Sequence, residues 1–341
     1  MPSQSFRLPI LCVGCYDTRR AIGVVLLLLS SVVASCSGAP ITAGAPRAAI
    51  ACKSCEEWNT SREPFRVFGN TYYVGPSGLS SILVTSEAGH ILFDGALPQS
   101  APLIEANIRA LGFRLEDVRV IAVSHEHFDH AGGIAALQAA SKAAVVASPP
   151  AVRAMREGWP LDSDPQYALM SEAARYPPVP EVRTIADGEV LRVGTVEVTA
   201  HLTPGHSPGS TTWTWRSCEE PRCLDIVYAD SLSAVSAPDF SFTRQPDGVE
   251  TFRRSIERIH NLACDVLLTV HPGFADIDEK FRARTRDPES NPFVDSGACR
   301  DYADGAAEAL DRRIAEENRQ IGAAVPGLAV EGGDAEAGHR D

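Results

Sequence analysis

The sequence predicts an α/β fold. Short β-rich runs succeed one another from residue 65 onward, and apolar residues at helical spacing appear between the later runs. With 44% of residues hydrophobic and 22% charged, the chain can also bury a large core. Its 341 residues could hold two domains, but a single α/β domain with tails accounts for them equally well.

Phe65 to Phe68, Thr71 to Val74, Ser80 to Thr85 and His90 to Phe93 read as strands. Gly69-Asn70 parts the first two and Ser86-Glu87-Ala88-Gly89 the last two, as hairpin turns would. Pro98 to Leu111 sets Leu103, Ile104, Ile108 and Leu111 at helical spacing. Val118 to Val123, apolar except for Arg119, suits a strand covered on both faces. Helix (Ile134 to Ala140), strand (Ala143 to Ala147) and helix (Ala151 to Arg156) then alternate. Val190 to Val193 and Val196 to Ala200 flank Gly194-Thr195 as two more strands, followed by strands at Thr211 to Trp215 and Ile226 to Tyr228. A helix over Val249 to Leu262, the strand Val266 to Val270 and a helix over Tyr302 to Glu317 complete the series. No internal repeat is present.

The two ends read differently. Arg19-Arg20 followed by an apolar run to Ser35 has the order of an export signal, over residues 1–36, and is short of the roughly 20 apolar residues of a membrane span. Val33-Ala34-Ser35-Cys36 resembles a bacterial lipobox, which would leave a lipid anchor at Cys36; cleavage near Ala39 would leave a soluble protein. Either way the expected location is the periplasm, free or tethered to the outer membrane. Residues 37–60, rich in Ala, Gly, Pro and Ser, read as a flexible tether, 61–320 as the folded domain, and the Gly-, Ala- and acid-rich 321–341 as a disordered tail. The formal net charge of −13 argues against a nucleic-acid partner. The chain is expected to be a monomer. Outside the leader stand Cys52, Cys55, Cys218, Cys223, Cys264 and Cys299, an even set suited to an oxidising compartment. Cys52-Lys53-Ser54-Cys55 has no second CxxC and no thioredoxin-like surroundings, which leaves a local disulfide or free thiols.

The chemistry concentrates in Ser124-His125-Glu126-His127-Phe128-Asp129-His130-Ala131-Gly132-Gly133, directly after a predicted strand. In an extended loop, residues two apart point the same way, so His125 and His127 can share one metal. Asp129 and His130 begin the next turn and face a second metal close by. Imidazole and carboxylate are good zinc ligands.

This motif resembles that of the metallo-β-lactamase superfamily, and the wider pattern resembles its subclass B3. The similar segments are Tyr72-Tyr73-Val74-Gly75, Phe93-Asp94-Gly95-Ala96-Leu97-Pro98-Gln99 and the His-Phe-Asp-His-Ala-Gly-Gly stretch. To these add Thr203-Pro204-Gly205-His206-Ser207-Pro208-Gly209-Ser210-Thr211-Thr212-Trp213-Thr214-Trp215, Tyr228-Ala229-Asp230-Ser231-Leu232-Ser233 and Cys264-Asp265-Val266-Leu267-Leu268-Thr269-Val270-His271-Pro272. They occur in the family's order across roughly residues 57 to 318.

The resemblance implies a four-layer αββα sandwich and two Zn2+ per chain. His125, His127 and His206 would bind the first zinc, and Asp129, His130 and His271 the second. His90, His201, His260 and His339 match no ligand position and read as ordinary surface, helix or tail residues. Ser231 and Ser233 inherit contacts to the carboxylate of a β-lactam, and Gln166 would line the cleft. Asp230 is a candidate for the metal-bridging aspartate of glyoxalase II-type relatives. Where some relatives carry a helpful tyrosine, this chain reads Pro238-Asp239-Phe240. Cys218 with Cys223, and Cys264 with Cys299, match disulfides of relatives, whereas Cys55 lacks its family partner. The implied activity is hydrolysis of the β-lactam amide by a dizinc-bound hydroxide, with Asp129 as both ligand and orienting group. Zinc lowers the pKa of water from about 15.7 to near 7, so no protein base is needed. Another hydrolase on this scaffold, acting on a lactone or thioester, is the alternative.

Overall fold

Strand pairing follows the connections. In the computed structural model, which describes residues 49–324, seven strands form one sheet in sequential order. The expected leader, Cys36, His339 and the tail beyond residue 324 lie outside the described residues. The strands are β1 (Phe65–Phe68), β2 (Thr71–Tyr73), β3 (Ile82–Ser86), β4 (Gly89–Phe93), β5 (Val118–Ala122), β6 (Ala144–Ala147) and β7 (Val182–Thr184). Tight turns join β1 to β2 and β3 to β4, a longer loop over residues 74–81 joins β2 to β3, and all three pairs are antiparallel. From β4 to β7 the pairs are parallel, and parallel neighbours need a crossover long enough to carry a helix. These crossovers hold α2 (Ala101–Ala110), the short α3 (Phe128–Ala131) with α4 (Ile134–Ser141), and α5 (Pro149–Glu157).

The second sheet runs β12-β11-β10-β9-β8, from β8 (Val190–Val193), β9 (Val196–Leu202), β10 (Thr211–Glu219), β11 (Arg222–Ala229) and β12 (Val266–Thr269). Only its β11–β12 pair is parallel, and α6 (Gly248–His260) makes that crossover. On α6 the buried residues Phe252, Ser255, Ile256 and Ile259 recur at three- and four-residue spacing, so one stripe faces the sheet. It packs with α8 (Ala298–Ala324), which also touches β12. The layers are thus α2, α4 and α5, then the two sheets, then α6 and α8, the expected αββα sandwich. Among the described residues no helix is long and apolar enough to cross a membrane.

Aromatic residues fill the space between the sheets. Trp213 and Trp215, two apart on β10, share a face; their rings lie 5.8 and 5.0 Å from that of Phe93 on β4. Both indoles are polar-satisfied: Trp213 Nε1 donates to the Val123 carbonyl at 3.1 Å and Trp215 Nε1 to Thr71 Oγ1 at 2.9 Å.

Four features differ from the sequence reading. Residues 49–60 are not a free tether. Ile50 is buried, and its backbone exchanges two hydrogen bonds with the Gln99 side chain, at 3.2 and 2.9 Å. Cys55 is buried at the start of α1 (Cys55–Trp58) and bonded to Cys52. One apolar anchor and satisfied backbone groups outweigh a loop-like composition. His90 is buried, its ring edge-on to Phe113 at 5.2 Å, and is no surface residue. The strand β7 and the helix α7 (Ile277–Arg286) were not foreseen: β7 has three residues, and α7 buries only Ile277, so neither shows a periodicity. The other disulfides join Cys218 to Cys223 across the β10–β11 hairpin and Cys264 to Cys299, 35 residues apart, tying the entry of β12 to α8. Closing a loop of that size contributes on the order of 3–4 kcal/mol in the chain-entropy account.

Glu317 fastens α8 to the loop before α6. Its buried carboxylate accepts from Phe242 N (3.1 Å), Thr243 N (2.9 Å), Ser241 Oγ (2.8 Å) and Arg313 Nε (2.9 Å). Burial alone would raise its pKa, but these donors win and hold it down to about 2 against an ordinary 4.5. A depressed folded pKa adds stability above the unfolded value and loses it as pH falls toward the folded one. Glu317→Gln is therefore expected to cost about 2–3 kcal/mol at pH 7, the deficit shrinking from pH 4.5 toward 2. Denaturant melts across that range check this; a deficit independent of pH would contradict it.

Candidate metal centre

The ends of β5, β9, β11 and β12 meet at one rim of the sandwich, and the loops leaving them carry the predicted residues. This is where α/β sheets place ligands, outside the carboxyl ends of their strands. The loop after β5 carries His125 and His127 and runs into α3, whose first turn holds Asp129 and His130. His206 lies between β9 and β10, and His271 follows β12. Two close approaches shape these loops. A Cβ on Gly205 would lie 2.4 Å from the Phe252 ring, and one on Gly209 would lie 2.1 Å from Glu126 Oε2. Gly209 N and Ser207 Oγ both donate to the buried Glu126 carboxylate, at 3.2 and 3.0 Å. The histidine loop and the His206 loop are thereby clasped together.

Asp94 anchors the same loop from β4. Its Oδ1 accepts from Ser124 N at 2.7 Å and its Oδ2 from Tyr228 Oη at 2.6 Å. Burial raises its pKa to about 6, partly offset by His130 nearby.

The structure brings the six predicted ligands together in two groups. Donor atoms of His125, His127 and His206 lie within 4.8 Å of one another, as do those of Asp129, His130 and His271. Ring centroids of His125 and His130 are 4.3 Å apart, so the groups adjoin. In the second group, Asp129 Oδ2 stands 3.3 Å from His130 Nε2 and 3.5 Å from His271 Nε2, and the two nitrogens are 3.3 Å apart. Bonds of roughly 2.0–2.1 Å in a tetrahedron put neighbouring donors about 3.3 Å apart, so this spacing fits a zinc-sized cation.

Four of the five imidazoles are held from behind by a hydrogen-bond acceptor, which leaves the other nitrogen for the centre. His125 Nδ1 donates to Asp230 Oδ1 at 2.7 Å, and its Nε2 is buried without a partner. His127 Nε2 donates to Asp164 Oδ2 at 2.9 Å, leaving Nδ1. His206 Nδ1 donates to the Ser233 carbonyl at 3.0 Å and His271 Nδ1 to the Gly78 carbonyl at 3.3 Å. His130 Nδ1 faces Asp94 Oδ2 at 4.0 Å. Acceptors behind a ligating histidine fix tautomer and orientation in metal sites. A buried imidazole nitrogen without a partner, and pairs of nitrogens facing each other, are what a cation would satisfy. The residues fit the group.

The electrostatics divide the donor set. Burial and neighbouring imidazoles push His125 down and His206 down to about 3, the neutral form a metal needs. Burial also opposes charge on His127, but Asp164 outweighs it and raises the ring to about 9. His130 is raised likewise, by Asp129. Asp129 is held well below the usual carboxylate range: burial opposes this, but His130 and His271 prevail.

The remaining predictions sort themselves. Ser231 and Ser233 border the cavity over the centre, with Ser231 Oγ donating to Ser233 Oγ at 3.1 Å. Ser233 also holds His206, a role the sequence did not disclose. Gln166 lines the same cavity, its Nε2 3.3 Å from His206 Nε2. Asp230 stands behind His125, fully buried, with Oδ1 on its Nδ1, and belongs to neither donor group. His201 contacts Thr214 Oγ1 at 2.9 Å and His260 lies on α6; neither reaches the centre. Asp164 and Trp58 were missed: Asp164 lies 37 residues from the histidine it orients, and Trp58, whose ring is 5.3 Å from His271, sits in the supposed tether.

Comparison with known proteins gives concordant results. Residues 74–214 match the model of the metallo-beta-lactamase superfamily. The solved Rm3 metallo-beta-lactamase is 49% identical, with a TM-score of 0.76 over 79% of this chain and 99% of its own. MEM-A1, a subclass B3 metallo-beta-lactamase from a soil metagenome library, is 45% identical, with a TM-score of 0.74 over 77% of this chain and 99% of its own. A hydroxyacylglutathione hydrolase of Jannaschia sp. (strain CCS1) is 27% identical over 139 residues, and this chain spans only 42% of its length. On the identity and coverage of those two solved relatives, and on a fold that agrees with them, the chain belongs to the metallo-beta-lactamase superfamily and stands among its subclass B3 members.

Proposed function

We propose that this protein hydrolyses the amide bond of β-lactams with two zinc ions, and so confers resistance to such drugs. The observation that carries the reading is the pair of adjoining donor sets, His125/His127/His206 and Asp129/His130/His271, open to a cavity of about 630 Å³ that Ser231, Ser233 and Gln166 border. When bound, the cations supply Lewis acidity and water made nucleophilic near neutral pH. The chain's own residues do the rest. The acceptors behind the imidazoles keep the donor sets in place. Asp129 orients the attacking water through the oxygen that faces His130 and His271. Ser231 and Ser233 offer hydroxyl donors to a substrate carboxylate, and Trp58 and Phe274 give the cavity apolar walls.

The rival substrate is a thioester, as the hydroxyacylglutathione hydrolase similarity would have it. Two features favour the lactam: the greater identity and coverage of the solved metallo-beta-lactamases, and Asp230 standing behind His125. Purified, zinc-loaded protein tested on a carbapenem, a cephalosporin and S-lactoylglutathione decides. Turnover of the lactams and not the thioester is expected; the reverse would overturn the reading.

We further propose that the protein is exported and works in the periplasm, free or anchored through Cys36. The leader-like residues 1–36 and the three cysteine pairs bonded in the structure support this.

A further inference from the structure

The cavity over the metal centre has one wall that the family motifs do not supply. Residues 52–54 line it, from the segment read as a tether, beside Trp58 and Phe274. Lys53 is the only lysine or arginine among the described residues that line it. It is exposed, and it enters no ion pair or hydrogen bond with any described residue.

Its position is braced on both sides. Before it, Ile50 is buried and its backbone is tied to Gln99 at 3.2 and 2.9 Å. Around it, the Cys52–Cys55 disulfide closes a one-turn loop, with Cys55 N also donating to the Cys52 carbonyl at 3.3 Å. After it, Trp58 O accepts from Gly78 N at 3.1 Å, and the Gly78 carbonyl accepts from His271 Nδ1. A Cβ on Gly78 would come within 2.6 Å of Trp58, so this contact is tight. The loop bearing Lys53 is therefore coupled to a predicted ligand at one end and to the start of α2 at the other.

We infer that Lys53 is a specificity-determining residue, a stapled cation at the mouth of the site that attracts the carboxylate of the substrate. The inference rests on the hydrolase reading above and adds a group to it. With the proposed cations at its floor the site already draws an anion inward, and Lys53 adds a positive charge at the mouth, where an incoming substrate first meets a chain of net charge −13. A rim charge of this kind acts on encounter and binding, and its effect falls with salt. The disulfide matters because a free lysine on a loose strand loses much of such an attraction to side-chain and loop entropy.

The test uses the full, zinc-loaded protein, a chromogenic cephalosporin and its carboxylate methyl ester. For Lys53→Ala, the ratio of kcat/KM for the acid over the ester is expected to fall about fivefold at low salt. Lys53→Glu should lower it further and Lys53→Arg should preserve it, and the wild-type ratio should itself fall as salt is raised. The double variant Cys52→Ser with Cys55→Ser, which frees the loop but keeps the charge, should lose part of the preference. A ratio unmoved by Lys53→Glu would overturn the inference and leave the hydrolase reading standing. No turnover of either compound by the wild-type protein would overturn both.

Discussion

Asp129→Asn is expected to lower kcat/KM for a carbapenem about a thousandfold, the several kcal/mol that metal-assisted charge stabilisation supplies. The effect starts from a single oxygen. Asp129 Oδ2 sits 3.3 Å from His130 Nε2 and 3.5 Å from His271 Nε2, the one anionic donor of the second group. Its charge stays on because both imidazoles face it, against the pull of burial. An amide keeps the shape but loses the charge, so a divalent cation there has only neutral donors. Metal analysis should then find the cation held by His125, His127 and His206 retained and the other lost. Chelation of the wild-type protein is the reference arm: activity should fall at least as far and return with added zinc. A variant retaining more than a tenth of wild-type activity, or wild-type turnover that survives chelation, would contradict the assignment of Asp129 as ligand and orienting group.

Trp213→Ala is the second large effect, and it falls on stability. The indole is fully buried between the sheets, against Phe93 and Tyr228 of the same aromatic group. Removing a buried tryptophan leaves a cavity and costs about 3–5 kcal/mol. Here it also orphans the Val123 carbonyl, which accepts from Trp213 Nε1 at 3.1 Å and lies two residues before His125. The melting temperature is expected to drop by roughly 10 °C. Zinc affinity should weaken too, since the strand end that aims His125 loses its fastening. Trp213→Phe, which keeps most of the apolar volume and loses the hydrogen bond, should cost only about 1–2 kcal/mol. Calorimetry of the three proteins checks the ranking; equal losses for Ala and Phe would mean that the hydrogen bond, and not the packing, carries the effect.

What could be read from the sequence divides along physical lines. The strands and helices with clear periodicity, such as His90 to Phe93 and Val249 to Leu262, stand within a residue or two of their expected places. Their signal is local: α6 buries one stripe along its length, and β4 is a short apolar run buried on both faces. The ligands within Ser124 to His130 were equally visible, four donor side chains in a few residues of loop. His206 and His271 were not: a lone histidine at a strand end says little, and only the similarity of the surrounding segments singled them out. The groups behind the ligands were hardest. Asp164 reaches His127 from a stretch of irregular chain, and Gly78 serves His271 through a carbonyl that any residue would have. Residues 49–60 misled for the opposite reason. Their composition is that of a linker, yet Ile50, Cys55 and Trp58 are enough to seat them beside the cavity.

The donors come from three stretches of chain that meet only when both sheets are paired, and an acceptor is already in place behind His125, His127, His206 and His271. An extended nascent chain therefore offers no more than the clustered residues 125–130, a weak and flexible trap. Loading waits for folding to finish. The ion that ends up in the protein is then chosen by whichever surroundings the polypeptide matures in, since donor chemistry of this kind admits several divalent metals and local supply decides among them.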